Sequence, residues 1–439
     1  MLSALPVVSL LLLGAHALRT QGAGAALFWL GLAALAWVRW AWVRIVLVLA
    51  LAWGAVIQAG TALDLVRFRL ALGEPWLRLA FILAGVVALT LGSALWMASA
   101  RAARRYDRDR DTAWPQALAL VLTVAALLVA RAKTSFPVLL ADRLPASWGE
   151  FGRLGWLEAL ALGVYAAWLA GKFLAPGASV RLRPRVWALF SAVFFGQLLL
   201  GLAGVEALLM TGTLHLPVPA LIAAGPVFRG GGYFMPILFG VTLLLVGPAW
   251  CSHLCYIGAW DDAMSRVRSL VPRPLPGWAA WTRPGLLVLV VAAAWAMRRA
   301  GTPPSVAALW AGGFGLAGVG VMVLVSRRLG LMAHCTAFCP MGVVANLLGK
   351  ISPWRLAISA ECTRCRACSR ACRSNALTPA DLDRNRPGLS CTLCGDCLPA
   401  CKHGHLGYRF PGSSPEKARA AFLVLVVSLH AVFLGVARI

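Results

Sequence analysis

The sequence predicts an all-α polytopic membrane protein of about eleven transmembrane helices, with a small α+β domain set before the last helix. Three observations carry this. Hydrophobic residues fill 60% of the 439 positions, and the mean hydropathy is +0.77, well above that of a soluble globular chain. Apolar segments near the ~20-residue length that crosses a bilayer recur along the chain. A polar stretch late in the chain concentrates eight of the twelve cysteines.

Taken in order, residues 4–18, 23–38, 45–63, 77–99, 116–131, 154–171, 186–210, 233–250, 284–297, 311–326 and 419–436 read as spans. The first lacks a basic start and a small-x-small cleavage site, and a second span follows at once. It therefore reads as an uncleaved helix and not as a secretion signal. Residues 1–180 form an N-terminal transmembrane bundle without cysteine. Residues 181–350 form a transmembrane region with two Cys-x3-Cys motifs, 351–418 the polar cysteine-dense domain, and 419–439 a C-terminal transmembrane helix.

The formal charge of +25 comes from 41 basic against 16 acidic residues. Arginines that flank spans face anionic headgroups, so membrane lipid is the expected partner of this charge. No nucleic-acid-binding fold accompanies it, and no nucleic-acid partner is expected. With the N-terminus inside, the inner loops hold Arg39 and Arg44, then Arg101 to Arg110, then Lys172, Arg181, Arg183 and Arg185, then Arg266 to Arg283. The basic, cysteine-rich stretch falls on the same side, where reducing conditions preserve thiols. The expected location is the bacterial cytoplasmic (inner) membrane, multi-pass, with that domain facing the cytoplasm.

The cysteines all fall in motifs. "CTRCRACSRAC" holds Cys362, Cys365, Cys368 and Cys372, and "CTLCGDCLPAC" holds Cys391, Cys394, Cys397 and Cys401. Each is the Cys-x2-Cys-x2-Cys-x3-Cys run of a bacterial-type 2[4Fe-4S] ferredoxin domain. Three cysteines on a curling loop aim thiolates at one cubane, and the fourth points to the neighbouring one. Two [4Fe-4S] clusters follow: one on Cys362, Cys365, Cys368 and Cys401, the other on Cys391, Cys394, Cys397 and Cys372. Zinc sites have no use for the third evenly spaced cysteine, and cysteines three apart bridge poorly as disulfides. Arg373 and Lys402 stand where such runs usually carry proline. With Arg364, Arg366 and Arg370 they favour the reduced clusters and offer a surface to an acidic redox partner protein. The connector after Arg373 is expected to hold a short helix capped by Thr378 or Asp381.

"GPAWCSHLCYIGAW" and "LMAHCTAFCPMGVV" place Cys251/Cys255 and Cys335/Cys339 at the ends of two spans, each pair followed three positions on by Gly258 or Gly342. On an α-helix, residues four apart share a face, so each pair is expected to present both thiols in one direction at one membrane surface. Four such thiols suffice for a third metal or cluster site, or for two reversible disulfides. His253 and His334 are candidate extra ligands or bases.

These pairs at span ends, with Cys335–Pro340 reading Cys-x-x-x-Cys-Pro and two ferredoxin runs behind, resemble the membrane polyferredoxin family. That family includes the ferredoxin subunit of a periplasmic nitrate-reduction quinol dehydrogenase, the nitrous-oxide reductase regulator, and the methylamine-utilisation and cytochrome-oxidase accessory ferredoxins. The resemblance covers roughly residues 185–410 and implies cytoplasmic cysteine loops. Tyr256 stands where the family motif has proline after the first pair, and no periplasmic flavin domain is present.

The expected function is one-electron transfer between a quinone pool or soluble donor and a redox partner, as an electron-transfer component of a quinol dehydrogenase. Alternatives are an accessory factor for metalloenzyme maturation, such as copper delivery, or a redox-sensing regulator. Glu206, an acid within a span, is a candidate proton carrier. His215, in the Pro/Gly-rich "LHLPVPALIAAGP", marks a candidate re-entrant segment beside a quinone.

Overall fold

The computed structural model describes residues 4–134, 136–143, 154–175, 177–205, 208, 216–268 and 271–436. Glu206 and His215 lie outside the described residues. The chain divides into two compact units, Met1–Gly171 and Lys172–Ile439.

Among the described residues, nine helices are long and apolar enough to cross a bilayer: Ala41–Ala71, Leu77–Ala98, Arg110–Lys133, Gly155–Leu174, Ala178–Leu202, Phe234–Leu254, Ala279–Arg299, Pro304–Leu329 and Pro415–Val436. The first two of the eleven expected spans are shorter elements. They form helices Leu5–Gln21, of 17 residues, and Ala23–Leu35, of 13. At 1.5 Å per residue the second reaches only about 20 Å, against a hydrocarbon core of about 30 Å. Gly22 separates them with φ 91, a backbone state open mainly to glycine. The two helices pack on each other.

The first unit is a helical bundle whose core includes Leu10, Leu13, Trp29, Trp42, Leu47 and Met97. Buried polar groups there find partners across helices: the Ser9 and Ser93 hydroxyls are 2.8 Å apart, and the Thr90 hydroxyl donates to Gln58 Oε1 at 2.8 Å. Such pairs satisfy groups that lipid cannot. The outward faces are apolar, with Phe81 75% and Leu95 73% exposed, as helices solvated by acyl chains require.

In the second unit, residues 351–418 share one compact body with the helices before and after them. Strands Arg355–Ile358 and Leu406–Arg409 pair antiparallel, from Arg355↔Arg409 to Ile358↔Leu406, and bring the two ends of the cysteine-rich segment together. Between them lie short helices Ala367–Ala371 and Pro379–Asp383. The latter opens with a capping box in which Thr378 and Asp381 bond each other's backbone amides. Two aromatics fasten the segment to the apolar helices. Trp354 Nε1 donates to the Leu245 carbonyl at 2.7 Å. The Tyr408 hydroxyl donates to the Leu393 carbonyl at 2.8 Å, and its ring stacks on Phe422 at 4.6 Å.

Candidate metal centre

The two Cys-x3-Cys motifs adopt one backbone twice. Trp250–Leu254 and His334–Phe338 are π-helical turns, with Cys251 and Cys335 second in each. The Cys255 amide donates to the Trp250 carbonyl at 2.9 Å, and the Cys339 amide to the His334 carbonyl at 2.7 Å. Both second cysteines are extended (ψ 112 and 116) and cap the helices that begin at Tyr256 and Pro340. This corrects the expectation of an α-helical face. The wider turn sets each second sulfur over the start of the next helix, where free amides point outward. The Cys255 sulfur accepts from the amides of Ile257 and Gly258, and that of Cys339 from Met341 and Gly342. Tyr256 and Pro340 open their helices alike, so the missing proline does not alter the motif.

Cys335 lies within electrostatic reach of Cys339, Cys255 and Cys251, and Cys255 within reach of Cys339. Burial pushes the Cys255 thiol up to about 12, so a thiolate there requires a compensating cation. Two buried groups from other elements frame the set. Arg283, from helix Ala279–Arg299, donates Nη1 to the Cys335 carbonyl at 3.2 Å. Asp261 accepts from the Cys335 amide at 2.9 Å and from the Ser326 hydroxyl at 2.6 Å. Burial lifts the Asp261 carboxyl to about 6 despite those bonds. His334 is buried, and burial lowers it to about 4. His253 Nδ1 pairs with the Ser252 hydroxyl at 2.9 Å.

The ferredoxin runs sort into two quartets. Cys397 lies within reach of Cys394, Cys372 and Cys391, whereas Cys368 lies with Cys362 and Cys401. Cys365 is exposed on the loop that carries Cys362 and Cys368. The loops share a backbone signature. Arg364 (φ 52) and Arg366 (φ 60) flank Cys365, and Leu393 (φ 54) and Gly395 (φ 78) flank Cys394. Side chains at positive φ cost about 1–3 kcal/mol each. Their recurrence at matching positions marks a loop bent so that its amides turn inward, the arrangement of anion- and cluster-binding nests. Accordingly, Cys391 accepts from the Leu393 amide, Cys394 from Asp396, Cys365 from Ala367, and Cys372 from Ala376 at 3.3 Å. Among the described residues no three His, Cys, Asp or Glu side chains are set to hold a metal ion. The donor set and cradle fit a cluster.

A buried ion network ties the cluster loop to the membrane region. Arg183 grips Asp396, which lies between Cys394 and Cys397, with Nε at 3.0 Å and Nη2 at 2.7 Å. The same guanidinium reaches Asp262 at 3.0 Å and the Ser252 carbonyl at 3.1 Å. Arg266 closes the set, bonding Asp262 at 2.8 Å and Asp396 at 2.6 Å. Burial alone would raise the Asp262 carboxyl, but Arg183 and Arg266 hold it below its usual range. Beside this network the Ser252 hydroxyl donates to the Thr392 carbonyl at 2.8 Å. Cys251-Ser252 of the first pair thus touches Cys391-Thr392 of the second run.

Two stretches of the chain, 230–274 and 311–359, match the family model of a 4Fe-4S binding domain. This is an iron–sulfur protein. The matched stretches of the iron–sulfur protein contain both Cys-x3-Cys pairs and end before Cys362. No curated protein and no solved structure matches it.

Several residues of this centre were not singled out from the sequence. Arg183 and Arg283 were counted as loop charge, yet they are 2% and 6% exposed within helices. The available signal was a second repeat: each is followed by a proline inside its helix, Pro184 and Pro284. Arg373, grouped with the surface cations, instead donates to the carbonyls of Ser265 at 2.7 Å and Gly330 at 2.9 Å. It fastens the first run to the membrane edge, which explains an arginine at the usual proline position.

The repeated glycines are packed against the pairs. A methyl at Gly258 would meet the Trp187 ring at 2.6 Å and the Cys251 carbonyl at 2.9 Å; one at Gly342 would meet the Cys335 carbonyl at 2.9 Å. Gly258→Ala and Gly342→Ala should each cost about 1–3 kcal/mol. A lowered temperature for bleaching of the iron–sulfur absorbance would register this; unchanged bleaching in both would show that the pairs tolerate displacement.

Proposed function

We propose that this protein is a membrane polyferredoxin that passes single electrons between a soluble redox partner and the membrane. In this reading Cys362, Cys365, Cys368 and Cys401 hold one [4Fe-4S] cluster, and Cys391, Cys394, Cys397 and Cys372 a second. When bound, such a cluster takes up and releases one electron without bond chemistry. The chain supplies the order of the relay. The observation that carries the reading is the contact of Ser252 with Thr392, which joins the loop of the second quartet to that of the membrane-edge cysteines. The first quartet faces solvent through Cys365.

The solvent end carries exposed Arg364, Arg366, Arg370 and Lys402, a surface for an acidic one-electron carrier protein. The membrane end adjoins an apolar pocket of about 330 Å³ lined by Ser191, Phe195, Ala259, Trp260, Met264 and Met322. Ala259 packs with Trp187, Met332 and Cys335, so an isoprenoid quinone in this pocket would lie beside the thiols. The cysteine loops belong on the cytoplasmic side of the inner membrane, where thiols stay reduced.

Protein purified without oxygen should be brown, contain at least about eight irons per chain, and show cluster signals by electron paramagnetic resonance on stepwise reduction. In vesicles its oxidation by an acidic carrier should slow as salt rises. A colourless, iron-free preparation would sink the reading. So would labelling that puts the loop of Cys362 on the outer surface.

A further inference from the structure

We propose that the apolar pocket beside the membrane-edge cysteines selects a naphthoquinone, anchored at one ring carbonyl by the Ser191 hydroxyl. This rests on the reading above, which puts a quinone there, and adds the ring class and the anchor.

The pocket exists because small residues line up on two helix faces. Ala188, Ser191, Ala192 and Phe195 stand at i, i+3, i+4 and i+7 of helix Ala178–Leu202, so they share one side. Ala259 and Ala263, four apart on helix Tyr256–Arg266, line the same space. Met322 and Val323 close it from the π-helical turn Met322–Ser326, an irregularity that gathers at functional sites.

One polar group inside is only half used. Ser191 is 3% exposed, and its Oγ accepts from Trp260 Nε1 at 2.9 Å. Its own O–H has no acceptor among the described residues. A buried hydroxyl with an idle proton calls for an oxygen to receive it. The lining holds no charged side chain, and Ser191 and Trp260 are its only N–H or O–H side chains. A ligand fitted here is therefore neutral and largely apolar, with one oxygen set to accept from Ser191.

Planar rings suit these walls. The Phe195 and Trp260 rings stand 4.7 Å apart at 38°, and Met264 and Met322 bring sulfurs that settle against ring edges. The volume, about 330 Å³, lies at the small end of ligand sites, enough for a headgroup but not for its isoprenoid chain. The chain leaves on the lipid side, where Trp260 and Val323 are 38% and 42% exposed.

The ring class follows from the scarcity of donors. Beyond its two carbonyls a naphthoquinone headgroup is hydrocarbon. A dimethoxybenzoquinone adds two ether oxygens, which this lining would bury without partners. The fused ring instead adds apolar surface against alanine and methionine. The walls also reach both cysteine turns. Asp261, next to Trp260, accepts from the Cys335 amide at 2.9 Å. Tyr256, next to Cys255, meets the Phe195 ring edge-on at 5.8 Å. Each turn thus lies directly behind a wall of the pocket.

The test is equilibrium binding of two oxidised quinones to the whole protein, itself held oxidised, in nanodiscs. One is a methylnaphthoquinone with a single isoprene unit, the other a dimethoxybenzoquinone with the same chain. The naphthoquinone should bind about tenfold tighter. Ser191→Ala should weaken it about fivefold, the worth of one hydrogen bond, and Ser191→Thr, which keeps the hydroxyl, should restore it. Ala192→Leu, which fills the cavity, should abolish binding. Benzoquinone binding as tight as the naphthoquinone overturns the proposal, as does naphthoquinone binding unchanged in both Ser191→Ala and Ala192→Leu. Either result leaves iron content and cluster signals, and with them the relay reading, intact. An iron-free protein that still prefers the naphthoquinone overturns the relay reading alone. Circular dichroism checks that each variant folds, and the ring preference of the wild type decides the matter if one does not.

Discussion

Replacing Cys394 with serine should remove about four irons per chain and abolish electron transfer between the soluble carrier and the membrane. Cys394 groups with Cys372, Cys391 and Cys397, in the loop whose Thr392 carbonyl meets Ser252 of the membrane-edge pair. In the proposed relay, loss of this cluster would break the path between the exposed quartet and the membrane. The companion variant Cys365→Ser removes a ligand from the exposed quartet instead. It should also lose about four irons, but reduction from the membrane side should still reach the second quartet. The measurement is iron content with low-temperature electron paramagnetic resonance, reducing from either side in turn. If the two variants lose the same signal, the division into quartets is wrong.

The second large effect concerns the ion network. Asp396→Asn would leave Arg183 and Arg266 facing Asp262 alone, with one buried positive charge unpaired. Breaking a buried pair from one side costs about 3–5 kcal/mol. The expected outcome is early thermal loss of the second cluster and release of segment 351–418 to limited proteolysis. The double variant Arg183→Met/Asp396→Asn should recover part of the loss, because Asp262 and Arg266 remain as a balanced pair. A double variant as unstable as the single, or more so, would show that the network acts through packing and not through charge balance. Arg183 also donates to the Ser252 carbonyl, so full recovery is not expected.

Much of the centre was legible in the sequence because its chemistry is local. The spacing of Cys362 to Cys372 and of Cys391 to Cys401 dictates loop geometry within a dozen residues. The resulting positive-φ positions at Arg364, Arg366, Leu393 and Gly395 sit inside the motifs themselves. The echo of Cys251/Cys255 in Cys335/Cys339 was visible, but not the π turns that aim the thiols. A π turn differs from an α turn by one hydrogen-bond register, which residue identity does not announce.

By itself, the sequence determined that this chain belongs in a membrane, where its cysteines gather, and that it is built for iron and sulfur. Hydropathy and ligand spacing act between near neighbours, so they can be read along a line. The structure alone decided how far each apolar stretch runs as helix: Ala23–Leu35 holds only 13 residues, short of a span. It alone took Arg183 and Arg283 out of the pool of loop charge. Their partners lie far away in sequence: Asp396 is 213 positions from Arg183, and the Cys335 carbonyl 52 from Arg283. A buried charge is tolerated only where folding brings its counterpart to it, and that meeting exists only in three dimensions.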